Sequence, residues 1–507
     1  MSNPGPNTQS TQNLVSVNVE LDASGLPTTN VYANGNLMTQ LAQLTTTPSG
    51  GVAILNTDGT TRLKDLDNRF AFMPFGITSG SLSTSGAVGG ETAYFGKYAL
   101  PVLDYTDIVG IQVVIQVPYD AAGTTNYNAV IAATETALVD TATNTYHPIK
   151  DGAAVDTLND TTDAYGWRSA TWSGAANITP TNGSSADNPA FAVSDVIPMT
   201  MLPRAAADTS VGRYTAWPLI MVRVGAVDAT GTGHWNYRAL MSQANAQVAT
   251  ANNRGLITQA FFVKGASSAG YLSAPQTNSP PANLNGTAMC VGFIVHTRHG
   301  AINPIWFGDS TVEANAINDG ILSGVDNAGL NMAARVAETG IPCGWVNRGR
   351  SSGTSTVYSS NLSNAITAFK PNVVIFQAFS HNDAPFNTAA LMRYKTSVLA
   401  GNVANASRLA ADAGAKFLVS TGFPENVSVI PDAVMPLHDA YLAAWTVNVS
   451  GRTQALNTFP ILSDGANPAR WVAGNVYDNA DDIHPNSAGM ILLGGYCASV
   501  VIDALAM

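Results

Sequence analysis

The rhythm of hydrophobic and polar positions changes near residue 300. Before it, short β-branched and aromatic runs such as Ile108–Val117, Ala216–Val224 and Leu256–Val263 stand between long Gly, Asn and Asp loops, with no helical period among them. Runs of strand length bounded by turn residues predict an antiparallel β-sandwich, with a jelly roll as one form of it, over residues 66–295. Residues 1–65 are rich in Asn, Thr, Ser and Gly, with apolar pieces at Leu14–Val19 and Val52–Leu55. They read as an extension or a small β module. Pro280, Pro281 and the Asn283-Leu284-Asn285-Gly286 that follows mark a boundary, and Met289–His296 returns as one more strand.

Beyond residue 300, the apolar runs Ile302–Phe307, Gly344–Val346, Val373–Phe376, Phe417–Val419 and Phe459–Leu462 alternate with segments of helical period near 321–338, 360–369, 388–413, 433–447 and 486–505. Five such strand–helix units predict an α/β domain over 296–507, a five-stranded parallel sheet with helices on both faces. In sheets of this kind, chemistry gathers at the carboxyl ends of the strands.

Composition narrows the setting. Only 11% of the 507 residues are charged, against roughly a quarter in an average soluble protein. The net charge of -11, with no run of Lys or Arg, argues against nucleic acid as a partner. A neutral small molecule or glycan fits better. Cys290, Cys343 and Cys497 are too few and too scattered for a disulfide framework or a metal site, and read as buried thiols. Met1–Ser16 lacks the basic and apolar regions of a secretory signal. The longest apolar stretch, Met490–Ala506, is broken by Gly494, Gly495, Ser499 and Asp503, so no membrane span is expected. The low-charge composition points to an extracellular or virion-associated protein, with a cytoplasmic one as the alternative and a homo-oligomer left open.

Gly308-Asp309-Ser310 follows the first strand of the α/β region and puts a serine hydroxyl beside a turn at the sheet's carboxyl edge. Alone, the tripeptide occurs by chance in about one chain in ten of this length, and a capped turn would look the same. Near the other end, Asp481-Asp482-Ile483-His484-Pro485-Asn486 precedes the last helix. A serine hydroxyl becomes a nucleophile when a neutral imidazole accepts its proton and a carboxylate fixes that imidazole's tautomer. His484 and Asp481 are suited to these tasks, and Asn486 or Ser487 can cap the helix alongside them. Cleavage of an ester also needs donors for the oxyanion. Gly349, in Asn347-Arg348-Gly349 at the end of the second strand, offers an unobstructed N–H; Asn382, in Ser380-His381-Asn382-Asp383 after the third, offers an amide.

The order Gly-Asp-Ser, Asn-x-Gly, x-x-Asn-Asp, Asp-x-x-His-Pro resembles the four sequence blocks of the SGNH (GDSL-type) hydrolases, over residues from about 300 to 507. That resemblance implies a flavodoxin-like three-layer domain. It also implies a Ser310, His484 and Asp481 triad, an oxyanion hole from Ser310, Gly349 and Asn382, and an acyl-enzyme route that needs no cofactor. Two departures stand out. Ser380 replaces the glycine that usually opens the third block, and Thr311-Val312-Glu313 replaces the usual residues after the nucleophile.

The implied activity is hydrolysis of short-chain acyl esters, acetyl first, on a carbohydrate. A general short-chain carboxylesterase or lipase is the neighbouring reading, and a phage-tail-like structural or adhesive protein is the non-enzymatic one. His381 could line the site. His438-Asp439 could offer a rival base and acid but falls in a predicted helix, and His234-Trp235-Asn236-Tyr237 and Tyr165-Gly166-Trp167 could stack on sugars. No G-x-S-x-G elbow, P-loop, HExxH site or dinucleotide fingerprint occurs.

Overall fold

The computed structural model describes residues 15–21, 27–33, 36–41, 66–77, 81–84, 91–100, 107–117, 119, 126–134, 139–140, 145–146, 149–150, 153–154, 168–181, 183–199, 219–227, 233–239, 257–264, 287–313, 328–424, 430–438, 440–441, 453–463, 470–474, 476–478 and 483–506. Val15–Leu21, Pro27–Ala33 and Asn36–Leu41 form a three-stranded antiparallel sheet.

The strands that position the site are β1 (Arg69–Met73), β2 (Glu91–Ala99), β3 (Ile108–Val117), β4 (Asn126–Thr134), β5 (Ala190–Val193), β6 (Leu219–Val227), β7 (Ile257–Lys264), β8 (Val291–Thr297), β9 (Pro304–Gly308), β10 (Trp345–Gly349), β11 (Val373–Gln377), β12 (Lys416–Ser420) and β13 (Thr453–Leu456). One long sheet has the order β5-β3-β8-β1-β10-β9-β11-β12-β13. Neighbours are antiparallel from β5 to β1 and parallel from β1 to β13. β1 is the junction, antiparallel to β8 and parallel to β10 through Phe72 opposite Trp345 and Met73 opposite Val346. The boundary near residue 295 therefore divides the sequence but not the sheet.

Alternation along each strand splits the core in two, because successive side chains of a strand leave opposite faces. On one face, Ala71, Met73, Val114, Ile305, Phe307, Val374, Phe376, Phe417 and Val419 pack with Tyr358 of the short helix α3 (Ser355–Ser359) and beneath helices α4 (Leu362–Phe369) and α5 (Ala389–Asp412). On the other, Phe70, Phe72, Trp306, Val373, Ile375 and Leu418 join a second cluster. That cluster is covered over the parallel half by α2 (Ala328–Ala337) and α7 (Ser487–Ala506). Over the antiparallel half it is covered by a five-stranded antiparallel sheet of order Arg168–Ser169, β4, β6, β2, β7. Tyr98 of that sheet meets Phe293 of β8 edge to face at 5.1 Å. β9, β10 and β11 are buried throughout, as central parallel strands covered on both sides must be. Each large apolar side chain so enclosed contributes about 1.5–3 kcal/mol.

One sequence expectation changes. Phe459–Leu462 is the short helix α6, not a strand. Pro460 has no N–H for a central ladder but suits the first turn of a helix, and the strand lies earlier, at β13. Of the segment 321–338, Ala328–Ala337 forms a helix, and residues 314–327 lie outside the described ones. The helix expected at 433–447 is described only in part. The segments 388–413 and 486–505 form the long helices α5 and α7 close to their expected bounds, α5 capped by Thr388. Ala488–Leu505 has the length and apolarity of a membrane span; Met490, Leu493, Cys497, Val501 and Ala504 of this helix are buried in the core. The three cysteines are buried and joined in no disulfide, and burial pushes the Cys343 and Cys497 thiols well up.

Candidate active site

Gly308, the last residue of β9, has room for no side chain: a Cβ there would lie 2.3 Å from both Gln377 Oε1 and Val312 Cγ2. This close approach lets the chain turn at once into α1 (Ser310–Glu313). Asp309, with no solvent exposure, organises the turn. Its Oδ1 accepts from the Thr311 N–H at 2.9 Å and the Thr311 hydroxyl at 2.5 Å. Its Oδ2 accepts from Ser380 Oγ at 2.6 Å and Gln377 Nε2 at 3.1 Å, and its N–H donates to Gln377 Oε1 at 3.1 Å. Asp309 thus ties the Ser310 turn to the end of β11.

The Asn382 turn is a 3₁₀ segment, His381–Asp383, with Ser380 as its cap. Ser380 Oγ accepts from the Asn382 N–H at 3.1 Å, and the Ser380 N–H donates to Asp383 Oδ2 at 3.2 Å. Ser380, where the resembled blocks have glycine, therefore holds both Asp309 and the backbone of Asn382. The Asn382 side chain donates one N–H to the Gly353 carbonyl at 3.2 Å. An amide carries two. Burial raises the Asp383 carboxyl to about 6, against the lowering effect of hydrogen bonds from Ser355 and Ser380.

His484 is placed by its neighbours. Asn486 Oδ1 caps α7 by accepting from the Gly489 N–H at 2.9 Å. The Asn486 N–H donates to the Tyr477 carbonyl at 2.9 Å, and Pro485 bridges Asp478. The loop so held brings His484 Nε2 to 2.9 Å from Ser310 Oγ, although the two residues lie at opposite ends of the α/β region. Ser310 is 5% exposed.

Gly349 departs from expectation. Its N–H is not unobstructed: it donates to Asn347 Oδ1 at 2.8 Å. The cause is local, since an Asn side chain readily closes onto a backbone N–H two residues on. A Cβ at Gly349 would come within 2.2 Å of the Glu313 nitrogen, so this glycine admits α1 against β10. Next to it, Arg348 is fully buried, with Nε on Asn361 Oδ1 at 2.9 Å and Nη1 on Gln116 Oε1 at 2.7 Å. Burial pushes its guanidinium down to about 9, opposed by the charge of Glu313.

Asp481 and Asp482 lie outside the described residues, as do Tyr165-Gly166-Trp167, Asp439 and the side chains of His234–Tyr237. His438 is enclosed between Phe379, ring centroids 4.7 Å apart, and Phe459, 5.9 Å, away from Ser310's hydrogen bond. His381 does reach the site, its ring centroid 6.2 Å from that of His484. Sequence reasoning missed Gln377 and the organising role of Asp309. A buried polar residue closing an otherwise apolar strand, as Gln377 closes Val373–Phe376, was the available signal. Among the described residues, no group of three His, Cys, Asp or Glu side chains is placed to hold a metal. A cavity of about 550 Å³ opens elsewhere, between Asp67, Arg69, Lys370, Asn372 and Gly414 at the amino ends of the strands, the wrong edge for this chemistry.

No protein-family model matches the sequence, and no curated protein does. Among solved structures, the neighbours are GDSL-type lipolytic proteins and carbohydrate esterases. The chain is similar to a family 3 carbohydrate esterase of Clostridium thermocellum, at 16% identity over 41% of this chain and 100% of the other, with a TM-score of 0.31. It is similar to a GDSL-like lipase of Bacteroides thetaiotaomicron, at 15% identity over 40% of this chain and 88% of the other, with a TM-score of 0.29. A family 2 carbohydrate esterase of Corynascus thermopiles with its carbohydrate-binding domain aligns over 84% of this chain and 100% of its own, at 10% identity and a TM-score of 0.31.

Proposed function

We propose that this chain is a serine esterase of the SGNH type that removes short acyl groups, acetyl first, from a hydroxylated alcohol such as a carbohydrate. The observation that carries this reading is the 2.9 Å contact between Ser310 Oγ and His484 Nε2, nucleophile and base within proton-transfer distance. Ser310 Oγ attacks the ester carbonyl carbon while its proton passes to His484 Nε2. The tetrahedral intermediate collapses, the bond from carbon to the alcohol oxygen breaks, and that oxygen takes the proton. Water, deprotonated in turn by His484, adds to the acyl carbon; the bond to Ser310 Oγ breaks, Oγ takes the proton back from His484, and the acid leaves.

Asp481, three residues before His484, is assigned to orient the imidazole. The Ser310 N–H and the second N–H of Asn382 are assigned to the oxyanion. Gly349 could join them only by releasing Asn347, and its firmer role is to admit α1. The low exposure of Ser310 supports a small acyl group. Ser310→Ala is expected to abolish turnover of p-nitrophenyl acetate, leaving at most the residual catalysis of a triad knockout, with the circular dichroism spectrum unchanged. Undiminished turnover, or a fluorophosphonate label mapping to another residue, would sink the proposal.

A further inference from the structure

His381 has no task in the mechanism above, yet it stands inside the site. Its Nδ1 lies 3.6 Å from Asp309 Oδ2, and its side chain keeps 15% of its surface exposed. At that distance the contact is electrostatic rather than a hydrogen bond. With Nδ1 facing the carboxylate, the tautomer that carries its proton on Nδ1 presents Nε2 as a lone-pair acceptor. Nε2 sits across the ring, turned away from Asp309, with no protein partner among the described residues. The ring meets that of His484 edge to face, 6.2 Å between centroids.

The position of His484 decides which part of the substrate passes His381. For His484 Nε2 to protonate the leaving alcohol, that oxygen must lie within about 3 Å of it. The alcohol portion, not the acyl group, therefore rests against His484 and continues toward the neighbouring imidazole. A lone-pair acceptor one ring away matches a hydroxyl close to the ester oxygen.

We propose that His381 is a specificity-determining residue, and that its Nε2 accepts a hydrogen bond from a hydroxyl adjacent to the scissile ester. This rests on the esterase reading, and it distinguishes a polyol or sugar ester from a simple alkyl ester by contact chemistry alone. The hydroxyl's loss leaves the imidazole acceptor facing an apolar group, a discrimination of about tenfold for one partly exposed hydrogen bond.

The test uses the full chain and two acetates that differ by one hydroxyl, the monoacetate of trans-cyclohexane-1,2-diol and cyclohexyl acetate, with p-nitrophenyl acetate as reference. The wild type is expected to prefer the diol ester about tenfold in kcat/KM. His381→Phe is expected to erase that preference while keeping turnover of p-nitrophenyl acetate. His381→Gln, whose amide oxygen still accepts, is expected to keep part of it. A wild type without preference, a preference that survives in His381→Phe, or an equal loss on all three esters in both variants overturns the proposal. The esterase reading fails differently, by wild-type turnover that Ser310→Ala does not remove or by none at all.

Discussion

Asp309 carries more of the site than its place beside Ser310 suggests. Its buried carboxylate gathers donors from Thr311, Ser380 and Gln377, and a buried charge is tolerated only when it is so satisfied. Ser380 supplies the link from this carboxylate to the Asn382 turn. Restoring the glycine of the resembled blocks, Ser380→Gly, is expected to cost about 1–2 kcal/mol in urea unfolding, a cap and a buried hydrogen bond together. It should also lower kcat more than it raises KM, because Asn382 is loosened where the oxyanion forms. Stability and kcat equal to wild type would refute that role. The carboxylate behind His484 is tested by a pair of variants. Asp481→Asn is expected to lower kcat by about four orders of magnitude through the wrong imidazole tautomer, whereas Asp482→Asn leaves it within a few-fold; the reverse pattern moves the assignment to Asp482.

At the level of elements, the packing of α7 on α2 depends on one glycine. A Cβ at Gly494 would lie 2.2 Å from Asn331 Cβ and 2.9 Å from the Ala328 carbonyl oxygen, whereas one at Gly495 meets nothing within 4 Å. Gly494→Ala is expected to destabilise by about 1–3 kcal/mol through overpacking. Gly495→Ala should be neutral or stabilise by up to about 1 kcal/mol, the helix-propensity difference. Thermal denaturation of the two single variants checks this, and equal shifts would contradict the close crossing. α7 also starts three residues after His484 under the Asn486 cap, so its seating bears on that histidine as well as on the core.

Over the whole molecule, the sheet edge that carries Ser310 continues through β1 into the antiparallel half, and Arg348 joins the halves through Asn361 and Gln116. The pH dependence of stability has one named contributor at the site. The folded state holds the Asp383 proton to about 6, from an ordinary value of 3.8. As pH rises through that window, the unfolded chain releases its proton first, so stability falls from about pH 4 to about pH 6 and levels off above. Relative to Asp383→Asn, the wild type is expected to lose on the order of 2 kcal/mol across that range, read from urea midpoints at pH 4, 5, 6 and 7. A difference independent of pH would remove Asp383 as the cause.

Much of this was written locally. The helical period of α5 and α7, the short apolar runs that became β9, β11 and β12, and the turn residues after them placed Ser310, Asn382 and His484 at loops of one sheet edge. Each of those signals lies within a few residues. Even the error at Phe459–Leu462 was local, because Pro460 already spoke against a strand. What only the tertiary structure decided involves partners far apart in sequence. β1 pairs with β8 and β10 across more than two hundred residues, and no periodicity within β1 says which neighbours it takes, since any apolar strand offers the same ladder. The convergence of Gln377 and Ser380 on Asp309 likewise follows from where the backbones lie. The sequence singled out Ser310 and His484; the packed sheet decided which groups hold them 2.9 Å apart, because hydrogen-bond geometry is a property of positions in space and not of spacing along the chain.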